Sequence, residues 1–479
     1  MGQPLYLALD QGGHGTRAIV FDEAGNALAR GVVGVRRTSP EPGRVEQDPE
    51  EILASLGRAT EEALHALGTQ RALGVACAGL AVERASLVCW DSRTGRALSP
   101  VLSWQDLRAE SLVAAYRPHA FTIRERTGLR LSPHYGALKM RWCLDQIPEV
   151  RAAARAGHLV MGPLASFLAF RAVSPQPLFA DPANAGRTLL WSRNRQNWDP
   201  DLLDLFAISE DCLPTCTPTR YPFGGLKAGG AQVPLTILTG DQGAALFSEG
   251  VPQADTIYIN MGSGAFLQRP IAGTAVASGP LLTSTVLTDG HERLSVAEGT
   301  VNGAGCALAW GAKALAIRDL ARHCDQLLAE GGPRPLFVNT IGGLGSPFWR
   351  TDEPPRFVGE GSAAAKAAAI IESIAFLINA NVQALCDEFG ECEGLVVSGG
   401  LSSSAALCQM LANLTGLGVR RPGECEATAR GLAFLAAGSP RDWPRSGPET
   451  RFFPLADEAL AERYRAWCEL MPALGDGED

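Results

Sequence analysis

The 479-residue sequence has no cluster of basic residues: 42 Lys and Arg stand against 51 Asp and Glu, spread along its length, for a formal charge of −9. A nucleic-acid partner is disfavoured, because a phosphate backbone demands a stripe of Lys and Arg. No C-x-x-C pair occurs among the twelve cysteines, which lie scattered in apolar stretches and read as reduced packing residues, not as a zinc or dithiol site. No apolar run approaches about 18 residues, and the opening segment Met1 to Asp10 carries neither a basic leader nor a small-residue cleavage site. No membrane span is expected, and the cytoplasm is the expected location. No G-x-x-x-x-G-K-[ST] sequence exists, which removes the P-loop as a source of phosphate binding.

What is present describes an ordinary globular chain, 46% hydrophobic and 19% charged, too long for one core and so expected to form two large domains. The run Leu5 to Leu9 reads as a buried strand ending in Asp10, followed by a glycine-rich turn, Gln11 to Thr16, and a second apolar run, Ala18 to Phe21. A further turn, Glu23 to Asn26, leads to a third strand. A dinucleotide-binding unit needs a helix directly after its glycines, so this meander disfavours a Rossmann reading. The arrangement is echoed at Thr256 to Ile259, where a strand meets the turn Asn260 to Gly264 and returns through Ala265 to Leu267. Two halves that each open with a glycine-turned hairpin suggest duplication. Between them, the strand Pro234 to Gly240 ends at Asp241 before a helical stretch, Gly243 to Ser248, and the boundary is placed there: residues 1–248, then 249–479. Later, Ser362 to Phe389 predicts a long Ala-rich helix, and Leu395 to Ser398 a buried strand running into Gly399 and Gly400.

Phosphoryl transfer needs backbone N–H groups around phosphate oxygens, a metal held through carboxylate or water, and a base that orients the attacking hydroxyl. The two hairpins offer the first, with glycines because a Cβ blocks the backbone's approach. Asp10 suits water-mediated magnesium; its bland alternative is a turn-initiating Asp. Asp241, where strand yields to helix, is either a helix cap or a base. His14 reads equally as a hydrogen-bond donor to phosphate or as a solvated turn residue. Trp310 and Trp349 read as core or wall residues.

Together the residues resemble a known family. Asp10-Gln11-Gly12 with Thr16-Arg17-Ala18, Gly43 to Pro49, Trp104 to Arg108, Gly240-Asp241-Gln242, Gly262 to Phe266, Gly342 to Trp349, and Ser398-Gly399-Gly400 followed by Gln409 are similar to the FGGY carbohydrate kinases. The similarity runs in order from about residue 5 to 438. Arg126 to Leu129, Asn184 to Leu190 and Trp198-Asp199 resemble the glycerol kinase branch, and the Met-His pair common in xylulose kinases is missing near residue 80. The resemblance implies an α/β fold of two actin-like, ribonuclease-H-like domains around a catalytic cleft, with ATP, magnesium and a small polyol or sugar as ligands. A homodimer is compatible with it. It implies Asp241 as general base and Asp10 as the metal residue. Arg84, Trp104, His134, Tyr135 and Phe266 would join Asp241 in lining the polyol pocket. Gly12, His14, Thr16, Arg17, Gly262, Ser263 and Gly264 would face the phosphates, and Gly305, Gly399, Gly400 and Ser404 would flank the nucleotide.

Several positions depart from the family pattern. Ala85 follows Arg84 where a Glu is usual, His134 stands where a Tyr is usual with Tyr135 beside it, and Gly13-His14-Gly15 replaces hydroxyl residues in the first loop. Ser404 and Ala405 occupy a region where Asn is often found. The expectation is a polyol pocket with space beside Arg84, roomier than one shaped for glycerol, which suits a longer polyol or a ketose. The alternatives left open are a ketopentose kinase and a non-catalytic sugar-binding homologue.

Overall fold

The computed structural model describes residues 3–228, 231–273, 275–290, 292–330, 332–350, 353–423 and 426–471; Cys425 lies outside them. The chain forms two seven-stranded sheets. The first contains β1 (Leu5–Gly12), β2 (Gly15–Phe21), β3 (Ala27–Gly34), β4 (Val75–Val82), β5 (Val173–Ser174), β6 (Arg220–Ala228) and β7 (Ala231–Gly240), in the order β3-β2-β1-β4-β7-β6-β5. The β1-β2-β3 meander is antiparallel, while β1, β4 and β7 run parallel. This parallel core brings the carboxyl ends of three adjacent strands to one edge, where open α/β sheets bind ligands.

Helix α1 (Pro49–Leu67) covers one face of this sheet. It starts at Asp48, whose side chain accepts the Glu50 amide, and it buries Ile52, Leu56, Ala59 and Ala63 at helical spacing. Three shorter helices, α2 (Gly136–Gln146), α3 (Leu164–Ala172) and α4 (Pro182–Ala185), belong to the first half of the chain, and α5 (Asp241–Ala245) follows β7 directly.

The second sheet contains β8 (Thr256–Met261), β9 (Ala265–Ile271), β10 (Leu282–Asp289), β11 (Glu292–Val301), β12 (Gly394–Ser398), β13 (Gly418–Arg421) and β14 (Thr450–Phe452), in the order β10-β11-β9-β8-β12-β13-β14. It repeats the hairpin-plus-parallel plan: β8 pairs antiparallel with β9 and parallel with β12. One difference is that β11, not the next strand in sequence, pairs with β9. Its helices are α6 (Gly305–Ala314), α7 (Ala363–Phe389), α8 (Ala405–Thr415) and α9 (Ala427–Ala436).

Helix α7 is capped by Ser362, which accepts the Ala365 amide, as its sequence predicts. It is long and apolar enough to cross a membrane by length and composition, which corrects the expectation that no such run exists. Most of it is buried in the second core, where Ile370, Ile374 and Ile378 have no exposed surface, so a packed core helix accounts for its composition. Trp310 stacks on Phe337 at 5.5 Å, as expected of a packing residue.

The two halves are tied together by helix exchange. Helix α9, from the second half of the chain, packs on β1 and β4 of the first sheet and crosses α5. Ala8, Ile19 and Ile237 of the first sheet, Val286 and Val296 of the second, and Leu432 and Phe434 of α9 share one buried cluster. Gly431 makes this crossing close: a Cβ there would collide with the Ala244 carbonyl of α5.

Candidate active site

Asp10, two residues before the end of β1, and Glu83 and Asp241, each one residue past the ends of β4 and β7, stand on three strands that pair in that order. Asp10 is 7% exposed and meets Arg17 at 3.3 Å. Burial pushes its carboxyl up to about 7, and the neighbouring Asp241 charge adds to the shift against the pull of Arg17. Asp241 is also raised by burial, opposed first by Arg84. It is the first residue of α5, and its Oδ1 accepts the Gln242 amide at 2.7 Å, while the N-cap position itself is Gly240. Its carboxylate therefore engages the adjoining amide and stays at the cleft edge.

Glu83 is a third carboxyl here that sequence reasoning missed. Its Oε1 accepts the Ser86 hydroxyl at 2.6 Å, its amide is bonded to the Gln11 carbonyl, and burial, with Asp241 adding, lifts it to about 7. Next to it, Ala85 has φ 67° and turns its carbonyl to the Lys139 ammonium at 3.2 Å. Lys139, fully buried, also donates to the Ser103 carbonyl at 2.7 Å, and burial lowers it to about 7.

A polar clasp crosses between the sheets beside Asp241. The Arg84 Nη1 donates to Glu298 Oε1 at 2.7 Å, and its Nη2 donates to the Gln242 side-chain carbonyl. Arg187 donates to the other oxygen of Glu298, and Gln268 adds a hydrogen bond at 3.1 Å. Burial opposes ionisation of Glu298, yet Arg187 and Arg84 hold it down to about 2. Glu298 thus reaches Arg84 from β11, a carboxylate partner supplied by the other half of the chain. Tyr135 is buried near Arg187; burial raises its phenol, and the Arg187 charge opposes the rise, so a phenol is also present.

His134 Nδ1 lies 2.9 Å from the Trp104 carbonyl, and burial lowers its pKa. A carbonyl only accepts, so Nδ1 carries the proton and Nε2 is left as an acceptor. Trp104, in the first half, meets Phe266 of β9 edge to face at 6.5 Å, forming an apolar wall from both halves.

The hairpins divide into open and braced positions. At Gly12 and Gly262 an added Cβ would meet nothing nearer than 3.8 and 4.0 Å, and at Gly400 nothing within 4 Å, so the chain itself leaves these faces clear. Gly264, Gly305 and Gly399 are tight instead: a Cβ would press on the carbonyls of Val301, Gly262 and Met261. They bring the β8–β9 hairpin, the start of α6 and the end of β12 together. Ser263 and His14 are exposed at the hairpin tips. Burial, then Arg37 and Arg17, lower His14. Arg17 spans from Asp10 to Glu426 at 3.5 Å.

Two of the expected ligand residues have hydroxyls already engaged within the chain. Thr16 has no exposed surface, and its hydroxyl is bonded to Gln11 and Ser55, so it braces the hairpin from behind. Ser404 caps α8 through the Leu407 amide and bonds Asp325, which occupies the hydroxyl expected near the nucleotide. Among the described residues no group of three or more His, Cys, Asp or Glu side chains could hold a metal ion by itself. Trp349 bonds the Pro280 carbonyl and lies under Arg130 at 5.4 Å.

Two related sheets with acids and open glycine turns at their facing edges define a two-domain, actin-like kinase. The chain belongs to the FGGY family of carbohydrate kinases: residues 5–248 match the N-terminal domain of that family and residues 257–439 its C-terminal domain. The glycerol kinase of Paracidovorax citrulli is 34% identical over 98% of this chain and 95% of its own length. The apulose kinase of Pectobacterium atrosepticum is 31% identical over 98% of this chain and 97% of its own. The crystal structure of Plasmodium falciparum glycerol kinase with ADP has the same fold, with a TM-score of 0.85 over 98% of this chain and 97% of that one at 23% identity.

Proposed function

We propose that this carbohydrate kinase transfers the γ-phosphoryl group of ATP to a hydroxyl of a polyol or ketose of four or more carbons, with Asp241 as general base. The observation that carries the reading is that Arg84 packs against Gly240 and hydrogen-bonds the Gln242 side chain, flanking Asp241 at the end of β7. Asp241 takes the hydroxyl proton; the substrate oxygen bonds to phosphorus as the bond to the bridging oxygen of ADP breaks. Trp104 and Phe266 pack on the carbon skeleton, while Arg84, Tyr135 and the free Nε2 of His134 meet its hydroxyls. The open glycine turns at Gly12 and Gly262 and the Arg17 guanidinium face the phosphates.

Asp10 fits a magnesium ion held through water: its carboxylate is buried, meets Arg17 at 3.3 Å, and is pushed up to about 7 by burial and by Asp241. When bound, the ion neutralises developing charge on the transferred group. Residues 1–248 supply most of the polyol side, residues 249–479 the nucleotide side, and the cytoplasm is where the reaction takes place. The similarity to an apulose kinase favours a ketose acceptor as a second reading.

ADP release measured over glycerol, tetritols, pentitols and pentuloses tests this. The expected result is a kcat/KM for a substrate of four or more carbons roughly tenfold above that for glycerol, the size of one hydrogen-bond partner in a buried site. Glycerol as the best substrate overturns the assignment by size, and no turnover with any member returns the non-catalytic reading.

A further inference from the structure

Glu298 sits on β11 in the second sheet, paired across the ladder with Gln268 of β9, and its side chain is 4% exposed as a residue. Both cations it meets come from the other half of the chain: Arg84 follows β4, and Arg187 follows α4. Each carboxylate oxygen takes one guanidinium, Arg84 on Oε1 at 2.7 Å and Arg187 on Oε2, and Gln268 completes Oε1. The far side of Arg84 is held by the Gln242 carbonyl, one residue past Asp241. Among the described residues no other acid forms an ion pair with either arginine.

We infer that Glu298 is a specificity-determining positioning residue that cancels the charge of Arg84 and Arg187, so that the pocket selects neutral hydroxylated substrates and rejects sugar acids. The inference rests on the substrate reading above. With Asp241 ionised for its role as base, the two guanidinium charges are matched by Glu298 and Asp241, and no positive charge is left for a substrate carboxylate. Without Glu298 one guanidinium would be unbalanced, and arginine pairs carboxylates bidentately. Selection against anions then comes from withholding a partner, and the fixed arginines remain as hydrogen-bond donors to hydroxyl oxygens.

The test compares wild type, Glu298→Gln and Glu298→Asp, with a neutral pentitol or pentulose as substrate and D-gluconate as competing anion. Wild type is expected to bind gluconate at least about a hundredfold more weakly than its best neutral substrate. In Glu298→Gln the KM for the neutral substrate rises about tenfold with a smaller change in kcat and none in the KM for ATP. The inhibition constant of gluconate falls about tenfold or more, as one unbalanced charge at an intermediate dielectric requires. Glu298→Asp moves both values back toward wild type. A merely structural role for Glu298 would weaken both ligands together.

A folded Glu298→Gln with unchanged gluconate inhibition overturns the inference. So does wild type that binds gluconate as tightly as the neutral substrate, a result that stands even if the variant does not fold. If wild type turns over no neutral substrate, the functional reading fails instead, and calorimetric binding of gluconate to both proteins still decides the role of Glu298.

Discussion

Burial and ion pairing pull Glu298 in opposite directions, and the pairing with Arg187 and Arg84 wins, holding the carboxyl at about 2 against an ordinary value of 4.5. A carboxyl depressed on folding contributes stability that is fully present above about 4.5 and is lost as the pH falls through that value toward about 2. Thermal melts between pH 6 and 2.5 should show wild type losing more stability over this window than Glu298→Gln, whose curve lacks this titration. Parallel curves would contradict the pairing. Glu298 is also where reading the sequence stopped short. Asp10 and Asp241 were legible because each ends an apolar strand run beside a glycine turn, a local pattern. The pairing of Glu298 with Arg84 joins residues 214 positions apart, and only a lone charge directly after the run Leu294 to Ala297 hinted at it. The partners of the Thr16 and Ser404 hydroxyls were hidden for a related reason: Ser55 and Asp325 lie far off in sequence.

At the scale of elements, the hairpins, the parallel strands and helix α7 followed from local signals: glycine turns, apolar runs and the Ser362 cap. The crossing of α5 and α9 did not, since nothing in Ala427 to Ala436 says which sheet it will cover. Gly431 is the contact on which that crossing depends, because any side chain there meets the Ala244 carbonyl of α5. Gly431→Val should destabilise by about 2 kcal/mol or more, the range for overpacking a tight interior contact. Urea denaturation measures it. A variant within about 0.5 kcal/mol of wild type would mean that the helices can separate at little cost.

The whole molecule inherits this coupling. Ala8, Ile19 and Ile237 of the first sheet are covered by α9, which the chain supplies only after residue 426. A fragment of residues 1–248 would leave that apolar face open to water, so it should aggregate or bind a hydrophobic dye, not fold as a stable monomer. The intact chain should unfold in one transition, seen at the same midpoint by far-UV circular dichroism and tryptophan fluorescence. Two separated midpoints, or a soluble folded fragment, would contradict the shared core. The duplication was visible in the sequence as two hairpins; that the halves interlock was not, because the exchange is made by packing faces with no distinctive motif.

The central claim is that Asp241 is the base of a phosphoryl transfer, and one comparison tests it most directly: kcat for wild type and Asp241→Asn on the best neutral substrate, with ATP binding and thermal stability measured alongside. The amide keeps the shape of the carboxylate but cannot accept a proton, so kcat should fall about 10²- to 10⁴-fold with nucleotide affinity and fold unchanged. A variant within threefold of wild type would contradict the account and leave Asp241 as a residue that only holds the start of its helix.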